Sequence, residues 1–406
     1  MARKNRETSF DDLDNAHGIL ACLENEGSLS RAAVAKKLGL SRTTLTNLIA
    51  RLMDLGLVTE LEEEADPAGR GRPGIPVDLD TSTWFSLGAV FYSGQWIFAI
   101  TNLRGEVVST RTAPLDSNSP KHFIATLVKG INAIRAKVPG RLLPGVGIGT
   151  PGLVNWESGT ILRADDLGWA AVDVGGAVEK ATGLVSYVVN RNRAAGIAEA
   201  RYGAGRNVAN FVYIGIGTGI SAALMLDGEL LHGSTYSAGE IGHIVVDPKG
   251  PLCGCGNRGC LQALAAEKGL LRKAGGLYAA GKLPKSSELA AMFAAGTAIS
   301  GAAVCAAAAR GDKAAAACVR EAARYLGREV GNLITTLNPD KVVLGGPLVR
   351  AGSVLVDFVR EEAEQWAMRH PFSSVSIEAS SLDEYAGARG AACLVLKNKL
   401  ELCGTS

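Results

Sequence analysis

The segment Glu240-Ile241-Gly242-His243, separated by nine residues from Cys253-Gly254-Cys255-Gly256-Asn257-Arg258-Gly259-Cys260, is the most informative stretch of this 406-residue sequence. One imidazole and three thiols fall within eighteen residues, and the glycines between them let the chain turn sharply. Imidazole and thiolate are ligands that zinc prefers. Four of them complete a tetrahedron and leave no open position for a catalytic water. His243, Cys253, Cys255 and Cys260 are therefore expected to hold one structural Zn2+ per chain. Cys22, Cys305, Cys318, Cys393 and Cys403 are scattered among apolar neighbours and read as small core residues in a reducing cytosol.

Working outward from this segment, β-branched apolar runs alternate with alanine-rich helical stretches, the pattern of an α/β domain. Strands are expected at 85–90, 96–101, 145–148, 185–189, 211–216, 222–226, 341–344 and 374–379, and long helices at 122–137, 193–202, 261–275 and 312–337. The alanine-biased stretch 290–317 reads as small-residue helix packing. Ile214-Gly215-Ile216-Gly217-Thr218-Gly219-Ile220 runs from a strand into a glycine-rich turn. Such turns bring backbone N–H groups close to a phosphate, and they serve simple packing equally well. Val188-Val189-Asn190-Arg191-Asn192-Arg193-Ala194-Ala195 sits at a strand-to-helix junction.

Composition excludes several classes. Hydrophobic residues make up 47% and charged residues 20%, enough for large cores and against disorder. Fifty glycines, well above the usual ~7%, lack a Gly-X-Y period and so do not indicate collagen. No apolar run approaches the roughly 20 residues that span a bilayer. The charged start, Met1-Ala2-Arg3-Lys4-Asn5-Arg6-Glu7, reads as no signal peptide. The expectation is a soluble cytoplasmic protein with no membrane partner. A net charge of +2 points to no particular ligand.

Residues 1–80 form a separate unit. Ala16, Ile19, Leu20 and Leu23 recur at helical spacing before Gly27. Ser30 caps a helix over 31–38 that Gly39 stops, and Ser41 caps a third over 42–55 with Leu45, Leu48, Ile49, Leu52 and Leu55 on its apolar face. This is a helix-turn-helix whose third helix would enter a DNA groove. With Ser41 at its start, that helix turns Arg42, Thr43, Thr46, Asn47 and Arg51 outward. These residue types read base edges or hold phosphates. Strands at 57–61 and 76–79 would form a wing whose loop, 68–74, offers Arg70 and Arg72 to a narrow minor groove. Against this, the unit has ten Lys/Arg and fourteen Asp/Glu, so a protein-interaction module stays open as an alternative.

With these motifs in place, the chain resembles the ROK family (repressor, open reading frame, kinase) over nearly its whole length. The histidine and cysteine cluster matches the family's zinc motif in order and spacing. Gly215 to Gly242, Pro151-Gly152-Leu153-Val154, Leu167-Gly168-Trp169, Ala198 to Gly205 and Asn338-Pro339 to Gly345-Gly346 match further. The winged helix, with Gly69-Arg70-Gly71-Arg72-Pro73, is similar to the repressor branch. The resemblance implies an α/β architecture: an N-terminal winged helix-turn-helix (1–80) plus a two-lobed, actin-like (ribonuclease H-like) sugar-kinase fold (81–406). The first lobe would span about 81–190 plus a C-terminal helix at about 383–406, and the second about 191–382. A helix-turn-helix protomer contacts only about one half-site, so a homodimer, or dimer of dimers, is expected on a pseudo-palindromic double-stranded DNA operator.

The kinase parts of the family pattern are altered. The family's general-base aspartate follows an asparagine and maps to Arg191, which cannot lose a proton at useful pH. The first phosphate loop maps to Gly88-Ala89-Val90-Phe91-Tyr92-Ser93-Gly94, without its aspartate, and the second, Gly217 to Ala223, lacks its later glycines. The expectation is therefore a repressor of carbohydrate-related genes with a catalytically inactive ROK domain. The alternative is an ATP-dependent sugar kinase carrying a DNA-binding head. The family's sugar cleft maps to Asp166, Asn190, Arg191, Glu240, His243 and Gln262. Arg191 has two readings. It forms a fork to a sugar acid or sugar phosphate, or it pairs with Asp166 or Glu240 and closes the cleft. His243 can bind zinc through one nitrogen and serve a sugar effector through the other.

Overall fold

The computed structural model describes residues 10–61, 75–296 and 298–400. The winged unit consists of α1 (Phe10–Glu26), β1 (Leu29–Ser30), α2 (Arg31–Leu38), α3 (Arg42–Asp54), β2 (Val58–Glu60) and β3 (Pro76–Leu79), with the strands ordered β1-β3-β2. Ser30 Oγ accepts from the Ala33 N–H at 3.2 Å and Ser41 Oγ from the Thr44 N–H at 3.1 Å, so both helices start where their capping hydroxyls place them. Gly39 ends α2 at φ +65°, a conformation that side chains with a Cβ rarely adopt. Ile19, Leu20 and Leu23 of α1 pack with Val34, Leu45, Ile49, Leu52, Leu57 and Val77. Arg70, Arg72 and the rest of the wing loop lie outside the described residues.

This small core does not close on itself. Trp84, Leu103, Leu143, Val395, Leu396 and Leu400 belong to the same buried cluster, and Trp84 Nε1 donates to the Leu55 carbonyl at the end of α3 (2.7 Å). Shared apolar packing thus fuses the winged unit to the first lobe of the larger domain. Arg104 adds a contact by pairing with Asp78.

That first lobe is built on β4 (Trp84–Tyr92), β5 (Gln95–Asn102), β6 (Val107–Pro114), α4 (Pro120–Arg135), β7 (Arg141–Thr150) and β11 (Val185–Asn190), in the sheet order β11-β7-β4-β5-β6. Between β7 and β11 the chain forms a second, three-stranded sheet from β8 (Leu153–Asn155), β9 (Thr160–Ala164) and β10 (Trp169–Asp173), then α5 (Gly175–Thr182). Next come α6 (Arg191–Tyr202) and the second lobe: β12 (Phe211–Ile216), β13 (Ile220–Leu226), β14 (Glu229–Leu230), α7 (Leu261–Ala265), α8 (Glu267–Ala279), α9 (Glu288–Ala294), α10 (Gly301–Ala309), α11 (Lys313–Leu337), β15 (Lys341–Gly345), α12 (Pro347–Arg350), α13 (Val354–Trp366), α14 (Arg369–Ser374) and β16 (Ser376–Ala379). Its sheet order, β14-β13-β12-β15-β16, repeats that of the first lobe strand for strand. α15 (Ala386–Lys397) completes the described elements.

β4 is buried along nearly its whole length because both of its faces are covered, which explains why it lacks the apolar–polar alternation of a half-exposed strand. Phe123, Leu127, Ile131 and Ile134 of α4 pack on one face. α15 covers the other at backbone distance: a Cβ on Gly88 would lie 1.9 Å from the Ala388 carbonyl oxygen, and one on Gly147 would lie 1.8 Å from that of Ala391. α6 leaves the first lobe but rests on the second sheet, where a Cβ on Gly196 would approach the Ala223 Cβ to 2.3 Å. The two helices meet at Gly390, whose added Cβ would fall 1.7 Å from the Ala194 carbonyl oxygen.

Two sequence expectations change here. The helix expected over 261–275 is two helices, broken at Ala266 (ψ 177°), because the Glu267 N–H turns to bond the Gly217 carbonyl at 2.9 Å. β6 and the β8–β10 sheet were not anticipated. They are exposed on one side and carry mixed polar and apolar residues.

Candidate functional site

The strand-to-helix junction at Asn190 forms the floor of a cavity of about 280 Å3 between the lobes. Asn190 Oδ1 caps α6 by accepting from the Asn192 N–H (2.9 Å), and its Nδ2 donates to the Gly152 carbonyl (2.9 Å), so both ends of the amide are committed to shaping the floor. The β9–β10 connection supplies Asp166, and the 3-10 turn Ile241–His243 brings Glu240 and His243 to the opposite wall. Asp166, Asn190, Arg191, Glu240, His243 and Gln262, all named from the sequence, line this one cavity. Asp166 is half exposed, with Lys268 Nζ 3.7 Å away across the cleft. Glu240 Oε1 has no hydrogen-bond partner among the described residues. Its carboxyl is pushed up to about 7, chiefly by burial, while Arg193 and Arg191 act in the opposite direction.

Among the described residues Arg191 forms no ion pair with Asp166 or Glu240, and the cleft is open, so of the two readings of Arg191 the one that closes the cleft is not what the structure contains. Arg191 lines the cleft, and its guanidinium reaches toward the glycine-rich turn. Nη2 donates to Thr218 Oγ1 at 2.9 Å, and Nη1 lies 3.5 Å from the Phe91 carbonyl oxygen. The guanidinium carbon stands 5.2 Å from the centre of the Tyr92 ring. Tyr92 in turn donates to Asn192 Oδ1 at 2.9 Å, and Asn192 Nδ2 donates to Ser221 Oγ at 2.8 Å. These side chains join the two segments that the family resemblance assigns to phosphate. The space left between them, lined by Tyr92, Ser93, Arg191, Gly217, Thr218 and Pro347, is about 10 Å3. That is of the order of a single water site. Tyr92, Thr218 and Asn192 lie within segments noted from the sequence but were not named as site residues. Each meets its partners across long chain separations, so no local pattern marks it.

The metal candidates converge. The ligand atoms of His243, Cys253, Cys255 and Cys260 all lie within 4.8 Å of one another. Cys253 Sγ is 3.7 Å from His243 Nδ1, and Cys255 Sγ is 3.7 Å from Cys260 Sγ. Zinc–sulfur bonds of about 2.3 Å in a tetrahedron give edges of about 3.8 Å, so the donor set fits a four-coordinate cation. Positive φ at Gly256 and Gly259 makes the necessary turns, and a Cβ on Gly259 would strike the Asp247 carbonyl oxygen at 1.5 Å. Nδ1 is the ring nitrogen beside the sulfur, and His243 also lines the cleft. Gln262 Nε2 donates toward Cys253 Sγ at 3.6 Å, a role an ionised glutamate could not fill.

On the winged unit, Ser41, Arg42, Thr43, Thr46, Asn47 and Arg51 are all exposed on α3, while Leu45, Leu48, Ile49 and Leu52 are buried beneath them. Glu60 is paired with Arg31 at 2.6 Å, which offsets one acidic charge beside the helix.

Comparison with known proteins agrees with this geometry. The ROK family profile matches residues 94–398, and a winged helix-turn-helix DNA-binding profile matches residues 13–59. The chain belongs to the ROK family. It is 26% identical over 399 residues to the DNA-binding transcriptional repressor Mlc of Escherichia coli strain K12, covering 97% of this chain and 96% of that one. A crystal structure of a ROK family transcriptional regulator, described as a homologue of the E. coli Mlc protein, superposes with TM-score 0.82 at 28% identity, over 97% of this chain and 98% of the other. A ROK family glucokinase from Streptomyces griseus, solved with glucose and AMPPNP, superposes with TM-score 0.69 at 27% identity. It covers 76% of this chain and 98% of its own.

Proposed function

We propose that this ROK protein is a DNA-binding transcriptional repressor of carbohydrate-related genes, whose cleft takes a sugar effector and performs no phosphoryl transfer. The observation that carries the reading is α3, a capped helix that presents Arg42, Thr43, Thr46, Asn47 and Arg51 to solvent on a core continuous with the sugar-kinase-like lobes. The similarity to regulators supports it by running through the winged helix, whereas the glucokinase likeness leaves about a quarter of the chain unmatched. Arg191 at the position of the general base, and the nearly filled space between the phosphate segments, argue against a kinase. The His/Cys3 set holds zinc in this reading, fixing the wall that carries Glu240 and His243.

The charged groups facing the cavity favour one effector class. Arg191 is committed to Thr218 and Tyr92, Arg163 pairs with Asp165, and Asp166, with Lys268 beside it, and Glu240, with Arg193 at 4.0 Å, supply the acceptors. A neutral, hydroxyl-rich sugar can donate to both carboxylates, whereas a sugar acid or sugar phosphate would meet like charge. A helix-turn-helix protomer reads one half-site, so the functional species is a homodimer or dimer of dimers on a pseudo-palindromic operator. Arg70 and Arg72 belong to the wing contact in this reading. The protein acts in the cytoplasm beside the chromosome, and among the described residues no helix is long and apolar enough to cross a membrane. An ADP-release assay with ATP, Mg2+, zinc and a panel of hexoses, pentoses and amino sugars tests the non-kinase reading. No turnover is expected. Turnover that Arg191→Ala abolishes would overturn it.

A further inference from the structure

α6 extends from the cleft to the winged unit, and its charged residues beyond Arg191 serve neither the cavity lining nor the metal set. In its first turn, Arg193 has a side chain only 3% exposed. It donates to the Tyr236 carbonyl at 2.7 Å and the Ala238 carbonyl at 2.5 Å, and stands 4.0 Å from the Glu240 carboxylate. In its last turn, Arg201 pairs with Glu24 of α1, whose other carboxylate oxygen accepts from Lys399 Nζ at 2.7 Å. Arg206, just past the helix, donates to the Asn25 carbonyl at 2.7 Å. Twelve residues of α-helix, about 18 Å long, join these two groups.

The packing makes this connection mechanically meaningful. The winged unit shares its core with the first lobe and α15, and α6 packs both on the sheet of the second lobe, at Gly196, and on α15, at Ala194. Arg201 and Arg206 are therefore points where α1 is held by a helix that also touches the second lobe. The Glu24 and Lys399 side chains are 15% and 5% exposed, so water cannot readily replace the pairing if the two sides shift. A ligand that draws Glu240 and the segment 236–240 toward itself pulls on Arg193, and a close-packed helix transmits that displacement as a body.

We propose that α6 couples the cleft to the DNA-binding unit, with Arg193 as its joint at the cleft and the Arg201–Glu24–Lys399 group as its joint at α1. The proposal rests on the repressor reading above and specifies how that site is regulated.

The test uses the full chain, a labelled genomic fragment captured by the wild-type protein, and neutral sugars as probes (D-glucose, D-xylose and N-acetylglucosamine). In a double-mutant cycle, Arg193→Met alters fragment affinity several-fold in the wild-type background. In the Glu24→Gln background it does so by less than about twofold. Where a sugar shifts the wild-type affinity, by roughly 5- to 150-fold for typical couplings, the shift collapses in Glu24→Gln while calorimetric sugar binding persists. Arg201→Lys, which keeps the charge, retains the shift. Retained zinc content and sugar binding exclude misfolding as the cause. Additive effects in the cycle, or a full sugar response in Glu24→Gln, overturn the coupling role and leave the repressor reading intact. A wild type that captures no DNA refutes the repressor reading and this proposal with it.

Discussion

The contact between α6 and α15 makes a sharp prediction, because two glycine-to-alanine substitutions in helices should shift stability in opposite directions. At Gly390 the new Cβ would lie 1.7 Å from the Ala194 carbonyl oxygen, 2.6 Å from its carbon and 3.0 Å from the Ala198 nitrogen. All three are main-chain atoms, so no side chain can swing aside. Reaching ordinary contact requires roughly 1.7 Å of separation between two helices that hold the lobes together. Overpacking costs about 1–3 kcal/mol in general, and a site with backbone on both sides belongs at the upper end. At about 3 kcal/mol, the melting temperature of a domain this large should fall by roughly 4 °C. Gly276, exposed on α8, has nothing within 4 Å of its added Cβ. There alanine gains helix propensity and restricts the unfolded chain, for about 0.4–1 kcal/mol of stabilisation. Scanning calorimetry of both variants beside the wild type is the assay. A Gly390→Ala protein that melts at or above the wild-type temperature would refute the close-packing argument.

Three further outcomes are expected. Cys260→Ser should abolish the one equivalent of zinc found by metal analysis of the wild type and lower its melting temperature; a metal-free wild type would remove the zinc assignment. Glu240 in the ligand-free protein titrates at about 7 because it is buried, and a sugar hydroxyl donating to it favours the ionised form. Sugar affinity measured by calorimetry should therefore be highest above about pH 7 and weaken as pH falls, by up to about tenfold per unit, whereas a flat profile would contradict the contact. Asn47→Ala should cost about 1–3 kcal/mol of operator affinity and relax preference at one base pair, while Arg42→Ala should weaken binding to all sequences and flatten its salt dependence, both read by anisotropy titration.

What could be read in advance depends on the range of the interactions concerned. Ser30, Ser41 and Gly39 mark helix ends through bonds three or four residues long, so the helix-turn-helix was readable residue by residue. The His243–Cys260 set was equally readable, because its four ligands lie within one short segment. The membership of the cleft came from the family resemblance, and the structure brings those six residues to one cavity. The direction of Arg191 was not readable. It depends on Thr218 and on Phe91 and Tyr92, which reach it only through the sheet topology. For the same reason the break at Ala266, decided by a bond to Gly217, escaped a reading based on helical period. The duplicated strand order of the lobes has no counterpart in a visible sequence repeat, since it resides in topology and not in residue identity.

The central claim, that α3 reads DNA under control of the cleft, is tested most directly by affinity capture of sheared genomic DNA on the purified zinc-loaded protein, followed by sequencing. It should be run at two salt concentrations, with and without pools of neutral sugars, sugar acids and sugar phosphates. The account predicts enrichment of a few pseudo-palindromic sites at both salts, altered by the neutral-sugar pool and by neither anionic pool. The absence of enriched sites at either salt would contradict it and make the winged unit a protein-interaction module.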